Sequence, residues 1–285
     1  MISEAQLRRL ARELDVRLGY AEKNYVNSWI LWAIYTSPYG DNLLFKGGTA
    51  LSKLYFPETW RYSEDLDFGV EGEYHGNEAE LQSTLEDAII ASGIDFEVTK
   101  HRELQKEAYP THYVDIDIQY DAVLGHKNTT SLDVMIDEHV AFASVDHRHS
   151  YQDVPEFELT AYSLEEIFAE KLRALYQRSQ ARDYYDLYRM LTEADVDDSV
   201  IFAAFTRKCE HDGLDIDFRD GLPGEKRGEI RNGWQHTLPD LVADLPEFGP
   251  VYDTLEDFVD SLVDEQQRYS ELPHPTRSRL TPFAP

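Results

Sequence analysis

Two aspartates, Asp65 and Asp67, stand two residues apart in the segment Arg61–Phe68. In a β-strand successive side chains point to opposite faces, so both carboxylates lie on one face and their apolar neighbours on the other. Like charges this close raise each other's pKa unless a cation neutralises them, and a hard divalent cation such as Mg²⁺ prefers such oxygen ligands. The alternative is a half-exposed strand of an acidic chain, because Asp-x-Asp recurs at residues 115–117 and 215–217.

A glycine turn precedes these aspartates in the chain. Gly47 and Gly48 stand between the apolar run Leu43–Phe45 and a short predicted helix, Ala50–Tyr55, and Thr49 adds a hydroxyl donor. A backbone without Cβ atoms lets phosphate oxygens approach closely, and the start of a helix offers free N–H groups to an anion. Two glycines alone are typical of a turn. A glycine turn followed by a carboxylate strand is typical of a site for a triphosphate and its metal ions.

A lysine lies on the apolar side of a later predicted helix. Ser163 and Glu166 have the spacing of a capping box, so a helix begins there. Lys171 falls in the middle of its apolar stripe, and three interpretations stay open: a stem reaching solvent, a buried ion pair, or a cation directed at a ligand phosphate. The stretch Lys171–Arg182 holds four basic residues and no acid, which indicates a positive patch for phosphate or RNA.

Two further aspartates follow this stretch. Asp183 and Asp186 are three residues apart, so on a helix they share one face, which we expect to point away from its apolar residues. Their structural alternative is an ion pair between Arg182 and Asp186 on an ordinary helix surface.

These segments together resemble those of a known family, the AbiEii/AbiGii nucleotidyltransferase toxins of the polymerase-β-like superfamily. The resemblance extends over roughly residues 20–192. It is carried by Glu22–Val26, Phe45–Leu51, the Arg-x-Ser-x-Asp-x-Asp-Phe pattern of residues 61–68, the Glu-Lys-x-x-Ala motif ending at Ala174, and the Arg-Asp-x-x-Asp-Leu motif of residues 182–187. Asn24 stands where the family has Asp in its Glu-Lys-Asp-Tyr segment.

The resemblance implies a role for each of these residues. Backbone and side-chain donors would bind the triphosphate: Gly47, Gly48, Thr49, Ser63 and Lys171. Strand carboxylates would hold Mg²⁺ or Mn²⁺: Asp65, Asp67 and a third on a neighbouring strand, for which we choose Asp133, with Asp117 as runner-up. An aspartate of the last motif, Asp183 or Asp186, would be catalytic.

The activity implied by the resemblance is transfer of a nucleoside monophosphate from an NTP to an acceptor, with release of pyrophosphate. The acceptor would be a tRNA 3′ end. The protein would act as the toxin of a toxin–antitoxin or phage-defence (abortive infection) pair, and its partner would be a separately encoded antitoxin. Two rival functions stay open: another phosphotransfer enzyme, such as a kinase or a nucleotidyltransferase acting on protein or small molecules, and a catalytically inactive binding module.

Hydrophobic periodicity predicts a first helix with an apolar stripe that reaches Leu18 and a second from about Tyr25 to Tyr35. It also predicts strands at His112–Tyr120 and Ser131–Ile136 and a helical stretch from Ser163 to Leu191, and thus an α+β fold followed by a mainly helical region. With the resemblance, the first part becomes a polymerase-β-like nucleotidyltransferase domain with a mixed sheet and N-terminal helices, over residues 1–155. The mainly helical C-terminal domain spans residues 156–272, and a Pro-rich tail spans residues 273–285.

The composition limits the possible partners and location. The 285 residues include 55 Asp and Glu against 27 Lys and Arg, a net charge of −28, so a generally basic surface for nucleic acid is excluded. This excess predicts adaptation to a salt-rich host, where salt screens the repulsion. The single Cys209 excludes an internal disulfide. The apolar run Trp29–Ile34 is much shorter than the ~20 residues of a membrane span, and no signal peptide is evident, so a cytoplasmic protein is expected.

Overall fold

The computed structural model describes residues 1–57, 61–106, 111–242 and 244–271. The predicted Pro-rich tail, residues 273–285, lies outside the described residues. The chain forms two compact units. The N-terminal unit comprises Met1–Glu138 and Ser144–Tyr162; the C-terminal unit comprises His139–Ala143 and the described residues from Ser163 onward.

The N-terminal unit holds all the strands of the described chain. Its elements are α1 (Glu4–Glu13), α2 (Leu18–Tyr35), β1 (Leu43–Lys46), α3 (Gly47–Ala50), β2 (Leu66–Val70), α4 (Glu78–Ser92), β3 (Asp95–Lys106), β4 (Thr111–Asp121), β5 (Lys127–Met135), β6 (Val145–Tyr151) and β7 (Val154–Ala161). Helix α3 continues directly as a π-helical turn, Leu51–Tyr55. Residue 155, at which the sequence analysis divides the chain, therefore lies inside β7.

Within the described residues the strands form a seven-stranded sheet in the order β3-β4-β5-β2-β1-β7-β6. Strand β2 is parallel to β5, and β1 is parallel to β7, whereas the other neighbours are antiparallel. The predicted α+β fold with a mixed sheet is thereby confirmed.

One face of this sheet forms the core of the unit. Helices α2 and α4 pack against each other, and they contact β7 and β3, respectively. On β2 the ring of Phe68 lies 5.6 Å from that of Phe45 and 6.4 Å from that of Tyr35 on α2, measured between centroids. Since side chains alternate along a strand, the residues between these apolar ones point to the opposite face, where the polar residues of the motifs lie.

The first two helices differ in one respect from the prediction. The apolar stripe of the N-terminus extends the first helix to Leu18 and begins the second near Tyr25, but α1 ends at Glu13 and α2 already begins at Leu18. Asp15 has a φ of 50°, a left-handed conformation that an α-helix cannot continue through.

Strands β3, β6 and β7 were not predicted from the sequence. Strands β3 and β6 lie at the two edges of the sheet and carry many charged residues, so they lack the apolar alternation of β2 and β4. Pro155 in β7 also argues against a strand. It is tolerated because β7 pairs with β1 only near its other end, at Ala161.

The C-terminal unit is helical in its described part. Its helices are α5 (Leu164–Gln177), α6 (Ala181–Glu193), α7 (Asp198–Asp212), α8 (Arg227–His236) and α9 (Phe248–Glu271). The predicted helical stretch from Ser163 to Leu191 is interrupted between α5 and α6, where Ser179 has a φ of 51°. Within the described residues no helix combines the length and the apolar character that a membrane crossing requires.

The start of α5 shows one of the two hydrogen bonds of the predicted capping box. The Ser163 hydroxyl accepts a hydrogen bond from the Glu166 N–H at 3.2 Å, as an N-cap does. The Glu166 carboxylate does not complete a capping box. It is fully buried, pairs with Lys208 of α7 at 2.5 Å, and accepts hydrogen bonds from the N–H groups of Ala141 and Phe142. A buried ammonium attracts this carboxylate more strongly than the N-cap N–H can.

Candidate active site

A row of charged side chains crosses the sheet on the face opposite to α2 and α4. Strand register places Lys46 of β1 opposite Asp67 of β2, Asp67 beside Asp133 of β5, Asp133 opposite Asp115 of β4, and Asp115 opposite Arg102 of β3. Directly paired residues have Cβ atoms about 5 Å apart and point to the same side. The sheet thus brings three carboxylates together, with a basic residue at each end of the row.

Asp67 and Asp133 form the central pair of this row. In the described part of the chain neither carboxylate has a Lys or Arg within ion-pair distance. Burial first, and then the negative charges of Asp67, Asp115 and Asp65, raise the pKa of Asp133 to about 6. The fold therefore holds two like charges side by side without a counter-ion of its own. Asp65, which immediately precedes β2, is exposed.

Asp117, the runner-up for the third carboxylate, has a different environment. Lys100 Nζ lies 3.2 Å from Asp117 Oδ2 and 2.7 Å from Asp115 Oδ1, and the Ser131 hydroxyl donates to Asp117 at 3.0 Å. A β-bulge between Val98 and Lys100 re-aims β3 and turns Lys100 onto the carboxylate face. Asp117 is thus neutralised within the fold, and the geometry favours Asp133.

The glycine turn lies directly against the carboxylate strand. Gly47 has a φ of 76°, which favours glycine, and a Cβ atom on it would stand 2.9 Å from the Asp67 Cγ. A Cβ atom on Gly48 would stand 2.6 Å from Arg61 Nη2 and 2.9 Å from Ser63 Oγ. At both positions a side chain would collide with neighbouring side chains of the protein, so glycine is required. The glycine turn therefore lies in contact with the Asp67 carboxylate, the Ser63 hydroxyl and the Arg61 guanidinium.

Arg61 is a candidate functional residue that sequence reasoning missed. Its side chain is buried beside Gly48, and its Nη1 donates to the Tyr62 carbonyl at 3.1 Å. A buried guanidinium presents several donors in a fixed geometry, which suits phosphate oxygens. The available signal was its place in the Arg-x-Ser-x-Asp-x-Asp pattern, but the spacing alone did not assign it a role.

Thr49 has a different local role from the one its position predicts. Its hydroxyl is buried and donates a hydrogen bond to the Asp65 carbonyl at 2.5 Å. In this geometry the donor hydrogen fixes the backbone just before β2, so the Thr49 hydroxyl does not direct that hydrogen at a ligand.

The residues of the N-terminal unit fit a divalent cation by their chemistry. Among the described residues no group of three His, Cys, Asp or Glu side chains is already arranged to hold a metal ion. Asp67 and Asp133 are nonetheless adjacent oxygen donors, and burial together with the neighbouring carboxylates raises the pKa of Asp133. A hard cation would relieve this repulsion.

The C-terminal unit brings the other predicted residues together. Lys171 of α5 is buried, and its Nζ lies 2.8 Å from Asp186 Oδ2 and 3.5 Å from Asp183 Oδ1 on α6. Both aspartates are fully buried, so the alternative that they lie on an ordinary helix surface does not hold. Of the three interpretations of Lys171, the structure shows the buried ion pair.

Arg178 completes this cluster. Its Nε and Nη2 donate to the two carboxylate oxygens of Asp183 at 2.9 and 2.8 Å. Burial raises the pKa of Asp183, but the charges of Lys171, Arg178 and Arg182 and the Arg178 hydrogen bonds outweigh it and hold the pKa at about 2. Asp183 is therefore firmly ionised, and both its oxygens have partners.

The basic stretch of residues 171–182 is not a free positive patch. Lys171 and Arg178 pair with the aspartates of α6, and Arg173 Nη1 lies 2.7 Å from Asp212 Oδ2 of α7. Acids that follow the stretch in the chain, from 5 to 39 positions away from their partners, thus neutralise three of its four bases.

Comparisons with known proteins identify a similar fold and a family. The solved structure of MenT4, a nucleotidyltransferase toxin from Mycobacterium tuberculosis, is similar in fold, with a TM-score of 0.65 and 18% sequence identity over 98% of this chain and 97% of that one. A search of curated protein sequences found no significant match. The profile of the family described as nucleotidyl transferase AbiEii toxin, type IV toxin–antitoxin system, matches residues 29–261. The chain therefore belongs to the AbiEii family of nucleotidyltransferase toxins.

Proposed function

We propose that this protein transfers a nucleoside monophosphate from an NTP to a tRNA 3′ end, with Mg²⁺ or Mn²⁺ as cofactor. One observation supports this most strongly: the uncompensated carboxylates Asp67 and Asp133 lie side by side, and the Gly47–Gly48 turn, with Arg61 and Ser63, packs directly against Asp67. A divalent cation supplies the positive charge that these carboxylates lack, and the buried Arg61 guanidinium suits the phosphate oxygens of an NTP.

Each residue of the N-terminal unit has a defined part in this proposal. Arg61 and Ser63 donate hydrogen bonds to phosphate oxygens, and the turn backbone at Gly47 and Gly48 lies beside them. Asp65, Asp67 and Asp133 hold the cation. When bound, the cation supplies Lewis-acid stabilisation of the charge that develops on the transferred phosphate and the leaving pyrophosphate.

The roles of the C-terminal unit are proposed from the motif match. Lys171 assists binding of the triphosphate, and an aspartate of α6 orients the acceptor hydroxyl. The environment of Asp183 supports a choice between the two candidates. Asp183 is bound on both oxygens by Arg178 and has a pKa of about 2, so it is a poor proton acceptor near neutral pH. We therefore assign the orienting role to Asp186 and a structural role to Asp183.

The biological setting follows from the family. The type IV system implies a separately encoded antitoxin as partner, and we propose action in the cytoplasm during phage defence. A net charge of −28 opposes association with tRNA, and the bases of residues 171–182 are largely paired with acids. We propose that the RNA is bound near its 3′ end alone, in a salt-rich cell where the long-range repulsion is screened.

Labelled nucleotides test the reaction type. The purified protein is incubated with Mg²⁺ or Mn²⁺, total tRNA, total RNA or cell protein, and each NTP labelled at either the α- or the γ-phosphate. The expected result is α-label in tRNA only, with added nucleotides at the 3′ end in mass spectra, and no transfer by Asp67→Asn.

The rival functions give different results in the same assay. Transfer of the γ-label identifies a kinase, and α-label in protein or in small molecules identifies a different acceptor. Absence of transfer from all four NTPs, with nucleotide binding retained, identifies an inactive binding module. Any of these results overturns the proposal.

A further inference from the structure

The backbone just before β2 is fixed by side chains from three other elements. Strand β2 begins at Leu66, so the carbonyl groups of Glu64 and Asp65 lie outside the strand. Buried or half-buried carbonyl groups need hydrogen-bond partners, because an unpaired one loses the free energy of its hydration. Here side chains of other elements bind these carbonyl groups, which connects the location of the aspartates to specific residues elsewhere in the chain.

Asn27 and Thr130 bind the Glu64 carbonyl from the core side. Asn27 Nδ2 of α2 donates to it at 2.8 Å, and the Thr130 hydroxyl of β5 lies 3.3 Å from it. The same hydroxyl lies 2.8 Å from Asn27 Oδ1. Both side chains are only 1% exposed. The amide and the hydroxyl therefore form a closed, buried network around one carbonyl group.

Two neighbouring contacts extend the network. The Thr49 hydroxyl of α3 donates to the Asp65 carbonyl, and Lys23 Nζ of α2 pairs with Glu64 Oε2 at 2.7 Å. Glu64 is thus held by helix α2 and strand β5, and the next residue, Asp65, is held by Thr49 of α3. Asp67, next on the same strand face, follows after two residues.

We propose that Asn27 and Thr130 are positioning residues of the nucleotidyl-transfer site: they touch no substrate, and they fix the Glu64–Asp65 backbone so that the carboxylates of Asp65 and Asp67 stand in reactive geometry. This inference rests on the proposed function for its catalytic consequence. A shift of 1 Å in a catalytic group lowers the rate of the chemical step more than it lowers the affinity for the substrate, since the transition state is more sensitive to geometry than the bound substrate. The network should therefore affect kcat more than the KM for the NTP.

The experiment compares isosteric variants of one hydroxyl. Thr130→Val removes the hydroxyl and keeps the shape of the side chain, whereas Thr130→Ser keeps the hydroxyl. Asn27→Leu is the stronger change. Gln82→Leu is the matched control, because the Gln82 amide of α4 also binds strand backbone, accepting from the Val98 N–H at 2.8 Å and donating to the Phe96 carbonyl at 3.2 Å, but it does so away from residues 61–67.

Two readouts are measured on the full chain: NTP kinetics, and hydrogen–deuterium exchange of the peptide containing Glu64–Phe68. For Thr130→Val we expect kcat to fall about tenfold with KM changed less than twofold, and exchange in this peptide to rise. Thr130→Ser should keep kcat and the exchange of this peptide at their wild-type values, and Gln82→Leu should change neither of them. Thermal unfolding identifies any variant that fails to fold.

The outcomes separate this inference from the proposed function. If exchange rises in Thr130→Val and the wild type transfers no nucleotide, the positioning network stands and the proposed reaction is wrong. If the wild type transfers nucleotide and Thr130→Val retains its kcat, or if exchange in the peptide is unchanged, the positioning role is overturned. An equal loss of kcat in Gln82→Leu also overturns the positioning role, because such a loss would reflect a general loosening of the N-terminal unit.

Discussion

The two units hold their paired aspartates in opposite electrostatic states. In the N-terminal unit, Asp67 and Asp133 lie side by side without a basic partner in the described chain, and the pKa of Asp133 rises to about 6. In the C-terminal unit, Asp183 and Asp186 are fully buried around Lys171, and the pKa of Asp183 falls to about 2. Both pairs lie within residues 29–261, which the family profile matches.

This contrast separates two uses of buried charge. In a cluster that contains its own counter-ions, the loss of any one member destabilises the fold, because a buried charge is left unpaired. A cluster with surplus negative charge is destabilising by itself and favours binding of an external cation. We therefore expect substitutions in the first unit to affect activity most and substitutions in the second to affect stability most.

The largest expected effect is loss of transfer in Asp67→Asn. The substitution removes one of two adjacent carboxylates and should lower kcat/KM by about 10³-fold, which is about 4 kcal/mol of transition-state stabilisation. Thermal unfolding should show no loss of stability, since a repelled charge has been removed. Asp215→Asn, an exposed aspartate of another Asp-x-Asp sequence, is the control. A fully active Asp67→Asn enzyme contradicts the site.

Asp183→Asn should have the largest effect on stability. It removes a fully buried carboxylate that pairs with the buried Lys171 as well as with Arg178, and we expect a loss of about 3 kcal/mol in the free energy of unfolding at pH 7, measured with urea. Asp217→Asn, which removes an exposed pair with Arg219, should leave the unfolding midpoint nearly unchanged. If Asp183→Asn is as stable as the wild type, the cluster is not a stabilising one.

The difference in stability between the wild type and Asp183→Asn should depend on pH in a defined direction. The pKa of Asp183 in the folded state is about 2, below its ordinary value of 3.8, so folding favours the ionised carboxylate. Its stabilisation is fully present above pH 4 and is lost as the pH falls towards 2. The gap between wild type and Asp183→Asn should therefore shrink over this interval. A gap that is constant from pH 5 to pH 2 disagrees with the ion pair.

Arg61→Gln should weaken nucleotide binding to a smaller degree. It removes charged donors beside Gly48, and we expect the KM for the NTP to rise about tenfold with a smaller change in kcat. Arg61→Lys should recover part of the loss. Arg148→Gln, at an exposed position of β6 in the same unit, controls for net charge. An unchanged KM in a folded Arg61→Gln protein excludes the proposed phosphate contact.

The smallest expected change in stability distinguishes Asp133 from its neighbours. Asp133→Asn removes a charge that the fold repels, and the midpoint of thermal unfolding should rise by about 3 °C while transfer is lost. Asp117→Asn removes a charge that Lys100 neutralises, so it should lower this midpoint. If Asp117→Asn abolishes transfer and Asp133→Asn does not, the choice between the two carboxylates is reversed.

Local patterns predicted several elements of the site correctly. The alternation from Asp65 to Phe68 predicted β2 and its carboxylate face, and Ser163 predicted the start of α5, because strand alternation and N-capping depend on residues within one or two turns of chain. Glu166 shows the limit of such patterns. Its spacing predicted a capping box, but its carboxylate is bound by Lys208, which lies 42 positions further along the chain (208 minus 166).

The sequence by itself determined the fold class, the family and the residue types of the site, since these depend on periodicity and on short motifs. The tertiary structure alone decided which charges meet: Asp133 beside Asp67, Arg61 against Gly48, and Lys171 between two aspartates. The reason is physical. Coulomb interactions and desolvation depend on distance and burial, and both are set by strand register and helix packing between residues far apart in the chain.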